Sequence, residues 1–201
     1  MATPAEPDPR TCVDPTADAL TRAPDASYAA QEDRPTLDES EEGLVGRMLG
    51  RPARGRSAAA VRCGWDLPAV LRVDPALDDG TPFPTTFWLA CPLAVRRVGT
   101  LEADGAMDGL TARLRTDPDL AAAYRAAHER YVAFRDRRGP TVPGDPSAGG
   151  MPDRVKCLHA LYGHHLATAD NPVGAWVAER IEPLPCPSPC VSTEPEQGWL
   201  G

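Results

Sequence analysis

Apolar positions follow two different rules along this chain, and the rule changes near residue 92. Before that point they come as short β-branched and aromatic runs set off by Gly, Pro and Asp. "SAAAVRCGWDLPAVLRVDPAL" predicts two strands, about 57–63 and 69–74, with Gly64 to Pro68 as the turn of a hairpin. "FPTTFWLACP" predicts a third strand over 84–91, after the turn "DDGTPFP".

From Pro92 the apolar spacing becomes helical. "PLAVRRVGTLEADG" suits a helix with Pro92 in its first turn, Leu93, Val98 and Leu101 on one side, and Gly105 as its stop. "MDGLTARLRTD" repeats Met107, Leu110 and Leu114 at spacings of three and four. "DPDLAAAYRAAHERYVAFRDRRG" gives the clearest pattern. Asp117 is an N-cap, Pro118 a first helical residue, and Leu120, Tyr124, Ala127, Tyr131 and Phe134 form the stripe. Gly139 suits its exit. A loop, "PTVPGDPSAGG", leads to a further helix from Pro152, and "NPVGAWVAERI" makes a last short one. Upstream, "SEEGLVGRMLG" predicts a short helix capped by Ser40, with Leu44, Met48 and Leu49 apolar. The fold class that follows is α+β: a small antiparallel three-stranded sheet followed by a helical layer of four to five helices.

Charge sharpens the domain limits. Of the 201 residues, the first 42 carry 3 Arg against 11 Asp and Glu, while 43–182 carry 18 Lys and Arg against 16 acids. The net charge of −8 therefore belongs to the ends. Residues 1–41, rich in Pro and acids, read as a disordered extension holding Cys12. Residues 42–182 form a single domain, and 183–201 a Pro-rich tail. A near-neutral domain argues against nucleic-acid binding. No run of 18 apolar residues exists, so no membrane span is expected. The start, "MATPAEPDPRTCVDP", lacks the basic and apolar segments of a secretory signal, which points to the cytoplasm and to reduced cysteines.

The chemistry concentrates in "MPDRVKCLHALYGHHLA", 151–167. On a wheel of about 100° per residue, Val155, Leu158, Leu161, Tyr162 and Leu166 share one side with His165 among them. Cys157 and His164 fall on one flank and His159 on the opposite one. Cys157 and His164 are seven residues apart, roughly 10 Å along a straight helix, which weakens them as ligands of one ion and as a nucleophile–base pair. The run thus reads first as a core helix. A metal site completed from elsewhere would draw on Cys63 and Cys91 at strand ends, with Cys157 and His164, and zinc is the metal for it. A third reading is a reactive thiol at Cys157, near the helix start beside Lys156.

Two other patterns bear on function. "GRMLGRPARGR" clusters Arg47, Arg51, Arg54 and Arg56 among glycines, and Arg recognises anions bidentately. "SAGGMPDR" is a Gly-rich approach to a helix start, where Arg154 and Lys156 would reinforce anion binding. Arg47, Arg51, Arg54, Arg154 and Lys156 therefore form a candidate surface for a small anionic ligand or an acidic partner protein. "CPSPC" at 186–190 is a weak metal or redox pattern by itself.

The segments "LGRPARG", "DGTPFPTTFWLACP", "DPDLAAAYRAAHERY" and "SAGGMPDRVKCLHALYGHHLA" together resemble an actinobacterial family catalogued as domain of unknown function 501. The resemblance spans about 44–180 in order. That family's pattern usually reads K-C-L-H and then A-H. Lys156, Cys157, His159 and His164 match it, Gly163 replaces the Ala, and His165 is additional. The resemblance implies no activity. The function expected is an accessory or binding role at the Arg-rich surface, with a metal-binding or Cys/His-dependent enzyme as the alternative.

Overall fold

A computed structural model describes residues 20, 25–140, 142, 144 and 147–192. Three antiparallel strands, β1 (Ser57–Arg62), β2 (Pro68–Val73) and β3 (Phe87–Leu89), run in the order β1-β2-β3. Among the described residues two helices precede them, α1 (Tyr28–Glu32) and α2 (Glu39–Leu49). Five follow: α3 (Pro92–Ala103), α4 (Ala106–Thr116), α5 (Pro118–Asp136), α6 (Leu158–Thr168) and α7 (Pro172–Ile181). The architecture is α+β, with a larger helical complement than four to five.

Both faces of the sheet are covered, and the strand residues sort between them with period two. Val70, Phe87 and Leu89 join the larger core with α5, α6 and α7. Leu71, Trp88 and Ala90 join a second cluster with Val45 and Met48 of α2. The third strand is shorter than the expected 84–91. Its flanks leave the regular ladder, although Ala90 and Cys91 both donate to the Ala69 carbonyl.

The segment 25–41 is not part of a loose extension. Ser27 caps α1, and Gln31 is buried. The buried Arg72 guanidinium donates to the carbonyls of Gln31, Glu32 and Arg34, which fixes α1 against the sheet. Helix α2 is capped by Asp38 rather than Ser40, in a reciprocal box with Glu41. The expected extension over 1–19 and 21–24, Cys12 included, lies outside the described residues, as does the tail beyond 192. No helix among the described residues is long and apolar enough to cross a membrane.

Helix α6 is the centre of the fold. Every residue except His159 is buried, so it has no solvent face. Gly163 lets it press against the sheet: a Cβ there would lie 3.3 Å from the Phe87 carbonyl oxygen. One expectation fails here. The helix starts at Leu158, not at Pro152, and Cys157 is its extended N-cap. Backbone bonds cause the delay. Lys156 donates to the Gly149 carbonyl at 2.6 Å and Arg154 to that of Gly150 at 3.2 Å, so the approach folds back as a loop.

Candidate active site at the start of helix α6

Cys157 and His159 come together because Cys157 is not helical. A wheel that begins at Pro152 puts them on opposite flanks, whereas the extended φ of −153° at Cys157 swings it out of that register. Gly149 makes this loop possible. It has φ +68°, and a Cβ would sit 2.6 Å from the Leu161 side chain and 3.0 Å from the Cys157 carbonyl oxygen.

The third member is Glu102, from the C-terminal end of α3. Its Oε1 accepts from the Leu158 backbone N–H at 2.6 Å, so it supplies the capping that the Cys157 side chain does not. The same oxygen lies 3.1 Å from His159 Nδ1. His159 Nε2 is 3.0 Å from the Val95 carbonyl oxygen. A carbonyl and an ionised carboxylate only accept, so both ring nitrogens carry protons and the ring is an imidazolium. His159 is pushed up to about 9. Its bond to Cys157 is the main cause, burial opposes it, and the Glu102 charge and Val95 carbonyl add to it. One ligand-type atom each from Glu102, Cys157 and His159 lies within 4.8 Å of the other two.

Cys157 and His159 open onto a cleft of about 390 Å³ between β3, α3, α6 and the end of α2, while Glu102 stands behind them. Leu49, Trp88, Leu89 and Val95 give it apolar walls, and Arg51 stands at its edge. The Arg51 guanidinium lies over the Trp88 ring, 5.4 Å from its centroid. The size and the mixture of apolar wall with few polar groups are those of a small-molecule site.

The expected anion surface is divided. Arg51 lines the cleft, and Arg54 lines an adjoining hollow that Arg51 and Trp88 also share. Arg47 instead donates to the Ser192 carbonyl of the tail. Arg154 and Lys156 are exposed and do not line the cleft.

The expected metal set, Cys63, Cys91, Cys157 and His164, does not assemble. Cys91 caps the start of α3 and Glu102, the neighbour of Cys157, lies near its end. Eleven residues separate them, about 16 Å along the axis. His164 is fully buried and has no lone pair to offer. Asn171 Oδ1 is committed to the Gly174 N–H at 2.8 Å, so its amide nitrogen donates to His164 Nδ1 at 3.1 Å. His164 Nε2 then donates to the Tyr28 hydroxyl at 2.6 Å. His164 stacks on Phe87 and meets Tyr131 edge-on. Burial, helped by the charges of His165 and Arg130, lowers it to about 3, so it stays neutral.

Sequence reasoning therefore missed Glu102 and the pairing of His159 with Cys157. The K-C-L-H run held part of the signal, because Cys and His two apart can converge only where the chain is extended. Nothing in the sequence links residue 102 to 157. A family model described as "Protein of unknown function (DUF501)" matches residues 59–179, a span that holds all three site residues. Searches of curated proteins and of solved structures give no match.

Proposed function

The chain belongs to the DUF501 family of proteins of unknown function, and from that footing we propose that it is a cysteine-dependent enzyme. Its substrate is a small, partly apolar molecule bearing an anionic group. Cys157 is the nucleophile, His159 the positive charge beside it, Glu102 the group that holds His159, and Arg51 the partner of the substrate anion. The reaction class is group transfer: the Cys157 sulfur bonds to an electrophilic carbon while the bond from that carbon to its leaving group breaks.

One observation carries this reading: Cys157 and His159, grouped with Glu102, line the same cleft as Arg51. The attacking form of cysteine is the thiolate, and an adjacent imidazolium favours it. Both nitrogens of His159 face acceptors, which supports an ion-pair role over metal ligation. The five described cysteines are free thiols, in keeping with a reducing compartment such as the cytoplasm.

Paired alkylation by iodoacetamide and iodoacetate, followed by peptide mass mapping, tests it. At neutral pH Cys157 reacts roughly tenfold faster than the exposed Cys190, and His159→Gln removes the advantage. Arg51→Gln removes a preference for the anionic reagent at Cys157. A Cys157 no faster than Cys190, and indifferent to His159→Gln, contradicts the proposal.

A further inference from the structure

One charged side chain lies where the strand pattern calls for an apolar one. Arg72 follows Val70 on the face of β2 turned toward the larger core, and it is only 5% exposed. A guanidinium carries five N–H donors. Nη1 of Arg72 donates to the Gln31 and Glu32 carbonyls, and Nη2 to the Arg34 carbonyl at 3.2 Å. Its Nε is buried without a hydrogen-bond partner. These partners are all neutral, so among the described residues this buried cation forms no ion pair. Buried charges are ordinarily paired.

Arg72 lines a polar cavity of about 320 Å³, set where β1 begins and β2 ends. Arg34 lines it from the chain after α1, and Arg56 from the chain before β1. Arg34 Nε donates to the Ala30 carbonyl at 3.2 Å and Arg56 Nε to the Thr36 hydroxyl at 3.0 Å. Neither forms an ion pair among the described residues.

Acids line the same cavity. Glu32 and Asp74 are engaged by Arg138, whose nitrogens stand 3.7 Å from a carboxylate oxygen of each, and Arg137 takes Glu32 at 2.7 Å. Arg138 also lines the cavity, and its Nε is buried without a hydrogen-bond partner. Asp33 is the remaining acid of the lining. Arg34, Arg56, Arg72 and Arg138 therefore share the space with Glu32, Asp33 and Asp74, and the first three have no carboxylate partner. Burial lowers Arg72 to about 10, the Arg138 charge adds to this, and Asp74 and Glu32 oppose it. It is still a cation at neutral pH, desolvated and crowded by like charge, and an anion beside it relieves both costs.

We propose that this cavity binds a phosphate group through Arg72, Arg34 and Arg56. Phosphate offers enough acceptor oxygens to meet guanidiniums arriving from three separate segments, which the two oxygens of a carboxylate do not. The volume falls within the range of small-molecule pockets, so the phosphate can be carried by an organic body. The Nε atoms of Arg72 and Arg138 are covered, so binding includes a small turn of those side chains toward the cavity. The "GRMLGRPARGR" cluster then serves two places, with Arg51 at the cleft and Arg56 here. No residue lines both, so this site stands independently of the proposed thiol chemistry at Cys157.

The test is isothermal titration of the full chain in phosphate-free buffer, with inorganic phosphate in one arm and glycerol 3-phosphate in the other. Saturable binding at one site per chain, in the submillimolar range, is expected in at least one arm. Arg34→Gln and Arg56→Gln, at partly exposed and exposed positions, keep the far-UV circular dichroism and each weaken that binding about tenfold. Arg115→Gln, exposed on α4, leaves it unchanged. An ester that binds roughly tenfold tighter than phosphate assigns a phosphorylated metabolite, and one that binds no tighter assigns free phosphate; both agree with the proposal. No saturable binding in either arm, or binding that Arg34→Gln or Arg56→Gln leaves intact, overturns it and leaves Arg72 as a tie between α1 and the sheet.

Discussion

His159 and His164 sit on one helix, five residues apart, and carry opposite charge states. His159 is half-buried against acceptors only, the Glu102 carboxylate and the Val95 carbonyl, and is held protonated. His164 is fully buried among Phe87, Tyr131 and Tyr28, with one acceptor and one donor as partners, and is held neutral. Burial lowers both rings. What separates them is the chemistry of the groups in contact: a thiol and an acid can outweigh desolvation, while a phenol and an amide cannot. The first arrangement faces a cleft and suits chemistry. The second ties α1 to α6 and α7 and suits stability.

The largest effect expected from this contrast is on folding. His164→Leu leaves the Tyr28 hydroxyl and the Asn171 amide without their partner, costing about 3 kcal/mol in urea unfolding. His159→Leu, at a half-buried site, costs about 1 kcal/mol by the same measurement. Equal losses would break the distinction.

The pH dependence follows with opposite signs. His164 has a folded-state value below its unfolded one, so its contribution is complete above about 6.5 and fades as pH falls toward 3. The folding constant drops by roughly tenfold per pH unit across that window for this group alone. His159 is raised, so its contribution is complete below about 6.5 and is lost as pH rises through about 9. This alkaline loss is the smaller, because the ring is partly exposed and screened. Denaturant titrations at stepped pH check both limbs, and His164→Gln should flatten the acid one. An unchanged acid limb in that variant removes His164 as its source.

Gly149→Ala is expected to cost about 2 kcal/mol, from its positive φ and the contact with Leu161. It should also slow Cys157 alkylation, because the loop sets where that sulfur stands. A loss of stability without a change in alkylation would separate the loop from the site. Arg51→Gln has the smallest effect. Stability stays within about 0.5 kcal/mol, and only the preference for anionic reagents at Cys157 disappears.

The sequence carried most of the fold. Asp117, Pro118 and the stripe to Phe134 predicted α5 closely, and the hairpin of β1 and β2 fell within a residue of its place. What it lost depended on long-range packing. Tyr28 and Gln31 lie in an acidic, Pro-rich stretch whose average composition hides two residues that dock on α6 and the sheet. The wheel at 151–167 assumed a regular helix. The backbone bonds from Arg154 and Lys156 to Gly150 and Gly149 invalidate it over its first six residues. The site could not be read for that reason. Cys157 and His159 were both visible, but their meeting required an extended N-cap, and Glu102 came from a helix more than fifty residues earlier.

The central claim is that His159 is an imidazolium paired with Cys157. Proton-detected NMR titration of the His159 ring, in wild type and in Cys157→Ser, tests it most directly. A midpoint near 9 in wild type that falls by a unit or more in Cys157→Ser agrees with the account. A midpoint near 6.5 in both proteins contradicts it.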